Sequence, residues 1–287
     1  MLNWVSRYAP LGGLICPDGA MPGGGLLDVG SGTVGASCLG LGAPFVGVDI
    51  AFDGPVAPEM RALAVAPGPL PFRDGAFETV VSLDALEHVP RPDRAGFVSE
   101  LIRVSASRVV LACPTDEAAA IDALLGRLLV ALGGGIPPWL SEHQEHVLPS
   151  RVEVWDLCAL PGVEVQEVHA GNGLLSAALA VAEMLPVTDE MASVEEARSP
   201  EHWRRLLADA RFGAAYRVAL VLDRPAPRIA AIRSDDIDRT LVDALRCPVC
   251  TSAVTGEHVA SARCDACGWE THGLPSGVVA TAGVVSA

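Results

Sequence analysis

The run Leu26-Leu27-Asp28-Val29-Gly30-Ser31-Gly32-Thr33-Val34-Gly35 constrains the fold more than any other segment of this 287-residue chain. An apolar run that ends in closely spaced glycines and precedes a stretch of helix length predicts a strand turning tightly into a helix. Short apolar runs continue at 45–49, 62–66, 79–83, 108–112, 163–168 and 216–222, with the first at 25–29. Helix-length stretches lie between the early ones, among them 35–41 and 93–104. This alternation predicts an α/β, Rossmann-like fold: a seven-stranded, mostly parallel sheet with helices on both faces. A long helical region, 174–212, separates the last two strands, and an insertion fills 114–161. In that insertion Ser150 with Glu153 three residues on has the pattern of a capping box.

Composition removes several chemistries. All 20 basic residues are arginine, so Schiff-base catalysis, a lysine general base and a lysine-bearing phosphate loop are excluded. The 35 acidic residues give a net charge of −15, which argues against a primary nucleic-acid binder. Half the residues are hydrophobic, enough for a sizeable core. The N-terminal apolar residues are broken by Pro10, Gly12, Gly13 and Pro17, and the apolar run 174–185 is too short to cross a bilayer. A cytoplasmic location without membrane contact is therefore expected. Cys16, Cys38, Cys113 and Cys158 are expected as buried, reduced thiols.

The spacing Gly30 to Gly35 also fits a dinucleotide-binding turn, so the neighbouring acids have to discriminate. Asp49 ends the second strand nineteen residues after Gly30, where a carboxylate can accept both hydroxyls of a ribose. Asp28, beside the turn, repels a pyrophosphate but suits the cationic methionine moiety of S-adenosylmethionine. On these residues the chain resembles the class I S-adenosylmethionine-dependent methyltransferases. The likeness runs on through Val46-Gly47-Val48-Asp49, Leu70-Pro71-Phe72-Arg73-Asp74-Gly75-Ala76-Phe77, Ser82-Leu83-Asp84-Ala85-Leu86-Glu87-His88-Val89-Pro90 and then 97–114. Their order resembles the ubiquinone-biosynthesis-type branch (methyltransferase type 11-like). The resemblance implies that Asp28, Gly30, Ser31 and Gly32 surround the methionine end, with Asp49 on the ribose and Ile50 against the adenine. The chain departs from the family in two places. The third glycine is displaced from Val34 to Gly35, and no acid stands near Ala66 to meet the adenine amino group.

Asp84, Glu87 and His88 follow the fourth predicted strand, at the carboxyl edge where open α/β sheets bind ligands. If this turn is helical, Asp84 comes near both partners. The cluster can position substrate, relay a proton or hold a divalent cation, as some relatives with a similar motif do. In the insertion, His143 and His146 are three apart, flanked by Glu142 and Glu145 and preceded by Trp139. One of these histidines is a candidate base or substrate anchor, and a solvated polar turn is the alternative. The candidate catalytic set is His88, His143, Asp84 and Glu87.

Residues 224–240 contain two prolines and read as a linker, which divides the chain into a methyltransferase-like domain at 1–223 and a tail at 241–287. The tail holds Cys247-Pro-Val-Cys250 and Cys264-Asp-Ala-Cys267, two knuckles separated by thirteen residues. Four thiolates at this spacing predict a structural zinc ribbon, with the metal supplying much of the tail's folding energy. The expected reaction is methyl transfer from S-adenosylmethionine to a hydroxyl of a small molecule such as a sugar, polyol or secondary metabolite. Two alternatives stand beside it. One is RNA or protein methylation, with the ribbon as docking module and the eight arginines of 198–233 as a basic stretch. The other is a non-catalytic scaffold that keeps the fold. The ribbon carries one arginine against three acids from Cys247 onward, which favours a structural role or protein contact over RNA.

Overall fold

The structure, a computed structural model, describes residues 2–145, 147–184, 204–205, 207, 213–225, 232–273 and 278–281. Its strands are β1 (Leu26–Val29), β2 (Phe45–Asp49), β3 (Met60–Ala64), β4 (Phe77–Leu83), β5 (Ser105–Pro114), β6 (Glu164–His169), β7 (Arg217–Asp223), β8 (His272–Gly273) and β9 (Val279–Ala280). Their order in the sheet is β6-β7-β5-β4-β1-β2-β3-β9-β8. The pairs β1–β2, β1–β4, β2–β3, β4–β5 and β3–β9 are parallel, whereas β7 runs antiparallel to both β5 and β6. Strands buried on both faces need apolar residues at nearly every position, and β1, β2 and the second half of β5 have that apart from Asp28 and Asp49.

The two-residue period of the strands sorts the core into two layers. Leu27, Val29, Val80, Val109 and Leu111 pack on one face. Leu26, Val81, Leu83, Val110 and Ala112 pack on the other. The second face is covered by α1 (Leu2–Tyr8), by α2 (Gly12–Ile15) and by a 3-10 turn at Gly35–Leu39. The first is covered by α3 (Arg94–Val104), whose Val98, Leu101 and Ile102 recur at helical spacing, and by α6 (Arg151–Cys158). The predicted cap is present: the Ser150 hydroxyl accepts from Glu153 N–H at 3.1 Å. Between these lie α4 (Ala119–Ala131), α5 (Pro138–Glu145) and α7 (Gly173–Met184), which share a small separate cluster around Leu125, Leu129, Leu140 and Ala180. Most of 185–212, which completes the predicted helical region, lies outside the described residues.

Two expectations are corrected. The sheet has nine strands, because β8 and β9 come from the tail and extend it beyond β3. The predicted linker is not one throughout: 237–244 forms α8 (Ile237–Ala244), which crosses the expected boundary and buries Ile237, Leu241, Val242 and Ala244. Its apolar residues recur three and four apart, a period that the prolines further upstream masked. The tail's Leu245, Val254, Ala262 and Trp269 join the main core, so the metal is not its sole source of folding energy. Backbone bonds clamp the segment after β3 from both sides: Arg73 N–H to Ala244 O and Arg246 N–H to Pro71 O, each 2.9 Å, and Thr281 N–H to Ala64 O at 3.0 Å.

A shared core implies shared unfolding. Leu245→Ala removes a side chain with no exposed area and is expected to cost about 2–5 kcal/mol. The cost should lower the single denaturation midpoint followed by far-ultraviolet dichroism for the whole chain. A tail transition separate from an unchanged main one would contradict a common core.

Candidate active site

The strand order reverses between β1 and β4, and the crevice outside their carboxyl ends is where a ligand is expected to bind. Two groups of predicted residues meet there. On the β1–β2 side the chain turns at Gly30, whose N–H donates to Val48 O at 2.8 Å. Gly32 has φ +51°, and the indole of Trp4 from α1 lies against it, so a Cβ would meet the ring at 2.6 Å. Asp49 accepts from Gly32 N–H at 2.8 Å and from Ile50 N–H at 2.7 Å, which ties the tip of β2 to the glycine turn. Burial raises the Asp49 carboxyl above its usual range, opposed by those N–H bonds. Ile50 beside it is 62 % exposed, a large apolar side chain open to a planar ring.

Asp28 and Ser31 lie elsewhere than expected. Asp28 is fully buried, and its oxygens accept from the Tyr8 hydroxyl (2.9 and 3.0 Å) and from Ala36 N–H (2.8 Å). It braces α1 against the glycine turn instead of facing a cation. The displaced third glycine follows from this: Gly35 has φ +49°, and a Cβ there would come within 2.5 Å of the Asp28 carboxylate. Ser31 is also fully buried, its hydroxyl donating to Gly32 O at 3.1 Å. What remains at the edge is the glycine backbone, the Asp49 carboxylate and Ile50. These suit, in turn, the amino-acid end, ribose and adenine of an adenosyl cofactor.

On the β4 side, Asp84 has φ +54°, a left-handed conformation that a non-glycine residue rarely adopts outside functional sites. The turn after it is a 3-10 turn at Leu86–His88. Arg217 binds it with two nitrogens, Nε–Oδ1 at 2.5 Å and Nη2–Oδ2 at 2.6 Å, and Arg7 Nε lies 3.1 Å from Oδ2. Burial alone would raise the Asp84 carboxyl, but the two guanidinium groups outweigh it and hold it below its usual range. Of the roles open to the cluster, positioning substrate, relaying a proton or holding a cation, the Asp84 contacts favour the first, since its charge is taken up by Arg217 and Arg7.

Glu87, His88 and His143 do meet, with one potential ligand atom from each within 4.8 Å of the others. Glu87 Oε1 is 3.9 Å from His143 Nε2 and 4.0 Å from His88 Nε2. Neither Glu87 oxygen has a hydrogen-bond partner among the described residues. Burial, then repulsion from Asp84, raises its carboxyl well above the usual range. Each histidine is held from behind. Asp122 Oδ2 lies 3.1 Å from His143 Nδ1, and Glu142 Oε2 lies 2.9 Å from His88 Nδ1. Burial, and then His143, lowers the His88 pKa and keeps that ring neutral. The Tyr216 hydroxyl donates to the other oxygen of Asp122 at 2.5 Å. Trp139 packs edge-on to His143, with ring centroids 5.4 Å apart. His146 lies outside the described residues.

Sequence reasoning missed Arg7, Asp122, Glu142 as a histidine partner, Tyr216 and Arg217. Tyr216 and Arg217 sat in a predicted strand, and Asp122 on a helix with no recognisable motif. Of the supposed basic stretch, Arg217 is buried on Asp84 and Arg233 pairs with Asp235, while Arg198, Arg211 and Arg228 lie outside the described residues.

The four tail cysteines converge. Cys247 and Cys267 sulfurs are 3.5 Å apart, as are those of Cys250 and Cys264, and all four lie within 4.8 Å of one another. A tetrahedral zinc–thiolate site requires about 3.8 Å between sulfurs. The knuckles also match in backbone: Thr251 N–H donates to Cys247 O at 2.8 Å and Gly268 N–H to Cys264 O at 2.9 Å. The two residues following each second cysteine, Thr251 (φ +61°) and Gly268 (φ +76°), are left-handed.

Residues 27–113 match the family described as a methyltransferase domain. The chain therefore contains a methyltransferase domain over these residues. Three solved structures are similar to the chain. A chain of the complex between the Haloferax volcanii Trm112 methyltransferase activator and a methyltransferase is 15 % identical, with TM-score 0.45, over 77 % of this chain and 91 % of that one. A Bacillus halodurans methyltransferase is 17 % identical, with TM-score 0.37, over 73 % and 95 %. Magnesium protoporphyrin IX methyltransferase from Synechocystis, with bound S-adenosylhomocysteine (SAH), is 14 % identical, with TM-score 0.45, over 78 % and 84 %. No curated protein matches the sequence. Among the described residues, no helix is long and apolar enough to cross a membrane.

The brace under the glycine turn is pH-sensitive. Burial pushes the Asp28 carboxyl from its ordinary 3.8 up to about 7, so the folded chain holds this proton more tightly than the unfolded chain. Its contribution to stability is full below pH 4 and is lost as the pH rises through 7. Asp28→Asn fixes the uncharged form. In urea titrations it should flatten the decline in stability between pH 4 and 7 by up to about 4 kcal/mol. An unchanged pH slope would show that Asp28 does not titrate in this interval.

Proposed function

We propose that this methyltransferase methylates a hydroxyl oxygen of a small molecule, with His143 as general base. The observation that carries the reading is the Asp122–His143 pair. Asp122 accepts from Nδ1–H and so fixes the tautomer whose Nε2 is free to take a proton. Tyr216 occupies the second oxygen of Asp122 and keeps that carboxylate in place. The pocket in front of Nε2 is lined by Trp139, Leu125, Ile121, Ala177 and Ala180, apolar surface suited to a small organic acceptor. His88, neutral and held by Glu142, lies on the same pocket and orients the acceptor.

When bound, S-adenosylmethionine supplies an electrophilic methyl group. Asp49 would hold its ribose, Ile50 its adenine, and the backbone of Gly30 and Gly32 its amino-acid end. The remaining contribution of the protein is alignment of acceptor and donor at near-attack distance, together with removal of the acceptor's proton at His143 Nε2. Zinc would be held by Cys247, Cys250, Cys264 and Cys267, far in function from the reaction, as a brace for the segment that carries α8 and β9.

Methyl-tritiated cofactor incubated with a low-molecular-weight cell extract should yield a labelled product stable to alkali, as an ether is and an ester is not. His143→Ala should slow this labelling by about 10²–10⁴-fold. Calorimetric affinity for SAH should stay within a few-fold. Labelling of RNA, or an alkali-labile product, would overturn the hydroxyl assignment.

Metal analysis gives a separate check. The full chain should contain about one zinc, by tetrahedral counting. Cys264→Ser should lose it and lower the thermal midpoint, while SAH still binds the folded protein. Zinc retained after Cys264→Ser would place the metal at Glu87, His88 and His143.

A further inference from the structure

Two arginines and two carboxylates, Asp84 and Glu87, line the pocket in front of His143. Arg7 and Arg217 both line it, and both direct nitrogens at the single carboxylate of Asp84. Arg217 uses Nε and Nη2 for that contact, while its Nη1 is buried and has no acceptor among the described residues. Its side chain is only 4 % exposed, so water does not supply the missing partner in bulk. A guanidinium whose one edge is taken still offers the Nη1–Nη2 edge, which matches the two oxygens of a planar carboxylate. Glu87 competes weakly for the arginines, because burial and then the Asp84 charge push its carboxyl well above the usual range, and burial pushes His88 below its own. Both guanidinium groups converge on one carboxylate, and Arg217 Nη1 is left without an acceptor among the described residues in a desolvated place, which is costly until an anion arrives.

We propose that the methyl acceptor is a small carboxylic acid whose carboxylate is anchored by Arg217 and Arg7, while a hydroxyl elsewhere in the same molecule faces His143. The proposal deepens the hydroxyl-methylation reading and rests on it. The carboxylate is the anchor and not the methylated group, so no bond to it forms or breaks. A single free guanidinium edge selects a monoanion over a phosphate dianion or a polyanion. The same arginines disfavour a divalent cation at Glu87, His88 and His143, since they remove Asp84 from the ligand set and repel a positive ion.

The test is calorimetry on the full chain saturated with SAH, using salicylate and lactate against their neutral amides, salicylamide and lactamide. Each acid should bind about tenfold or more tightly than its amide, the scale of one charge-assisted contact. Arg7→Gln and Arg217→Gln each remove one guanidinium, and should reduce the ratio to within about twofold. Asp84→Asn frees both arginines and should enlarge it; asparagine tolerates the left-handed backbone at this position. General damage to the fold would weaken binding in all three variants, so the opposite sign for Asp84→Asn separates charge from damage. SAH affinity is measured on each protein. Wild-type protein that fails to bind SAH would overturn the cofactor reading itself. Wild-type protein that binds SAH but binds acid and amide equally overturns only the carboxylate proposal. So does an acid preference seen only with added Mg²⁺ or Mn²⁺, which would assign the anion to a metal.

Discussion

The ion pair between Asp84 and Arg217 joins the carboxyl end of β4 to the first residue of β7, and through Arg7 it also reaches α1. Neither strand could present its end residue to the crevice without the other. Asp84 is held at φ +54° by two short bonds to a buried guanidinium, and Arg217 has no other partner for the nitrogens it uses there. Removing either residue leaves a charge stranded in a low dielectric, the costly way to break a buried pair. The pair therefore fixes where the β4 turn goes, and with it the positions of Glu87 and His88 three and four residues later. Arg7 extends the same constraint to the helix whose Trp4 lies on Gly32 and whose Tyr8 bonds Asp28.

The histidines show a division of charge along the crevice. Glu87 is buried between two imidazole nitrogens at about hydrogen-bond-plus-one-ångström distances, with no partner of its own. Both imidazoles spend their Nδ1 on a carboxylate, Asp122 or Glu142, so both Nε2 atoms face the same point. Such carboxylate-backed histidines occur at metal centres and at proton-transfer sites alike. What separates the two here is the neighbourhood. A cation would have to sit beside two guanidinium groups, with Glu87 as the one further carboxylate, and burial pushes that carboxyl well above its usual range.

Much of the fold was legible because it is local. The glycine turn, Asp49 and the seven principal strands follow from residue type and a two-residue period, and the Ser150 cap from four consecutive positions. The misread parts depend on distant pairings. Asp84 and Arg217 are 133 residues apart, and Tyr216 and Asp122 are 94 apart, so no spacing argument could join them. Asp28 was read from its charge, but Tyr8, twenty residues upstream on a helix that carries no motif, decides what that charge does. His143 was picked out with His146 for their helical spacing, yet its partner is Asp122 on the preceding helix. The four cysteines were legible as a cluster, since metal-ligand spacing is itself local, but their packing onto the rest of the chain was not.

The tail answers a problem that the seven-stranded sheet would otherwise leave open. With β3 at its border, the sheet would end in a parallel strand with unpaired N–H and C=O groups, a template for adventitious pairing. Val279 and Ala280 pair along that border beside Leu63 and Ala64, and Thr281 donates twice to Ala64 O. The next segment, from Val65 to Phe72, leads away from the tip of β3, one strand from Asp49, and is bonded at Pro71 and Arg73 to the end of α8. The same residues that close the sheet thus fix the wall beside Asp49. A two-residue strand has too few bonds to stay in register alone. Its register comes from what lies before it, the packed core of Leu245, Ala262 and Trp269 and the two cysteine knuckles. Closure of the sheet edge, folding of the tail and the shape of the cofactor side are therefore one structural problem, and the chain solves it within a single core.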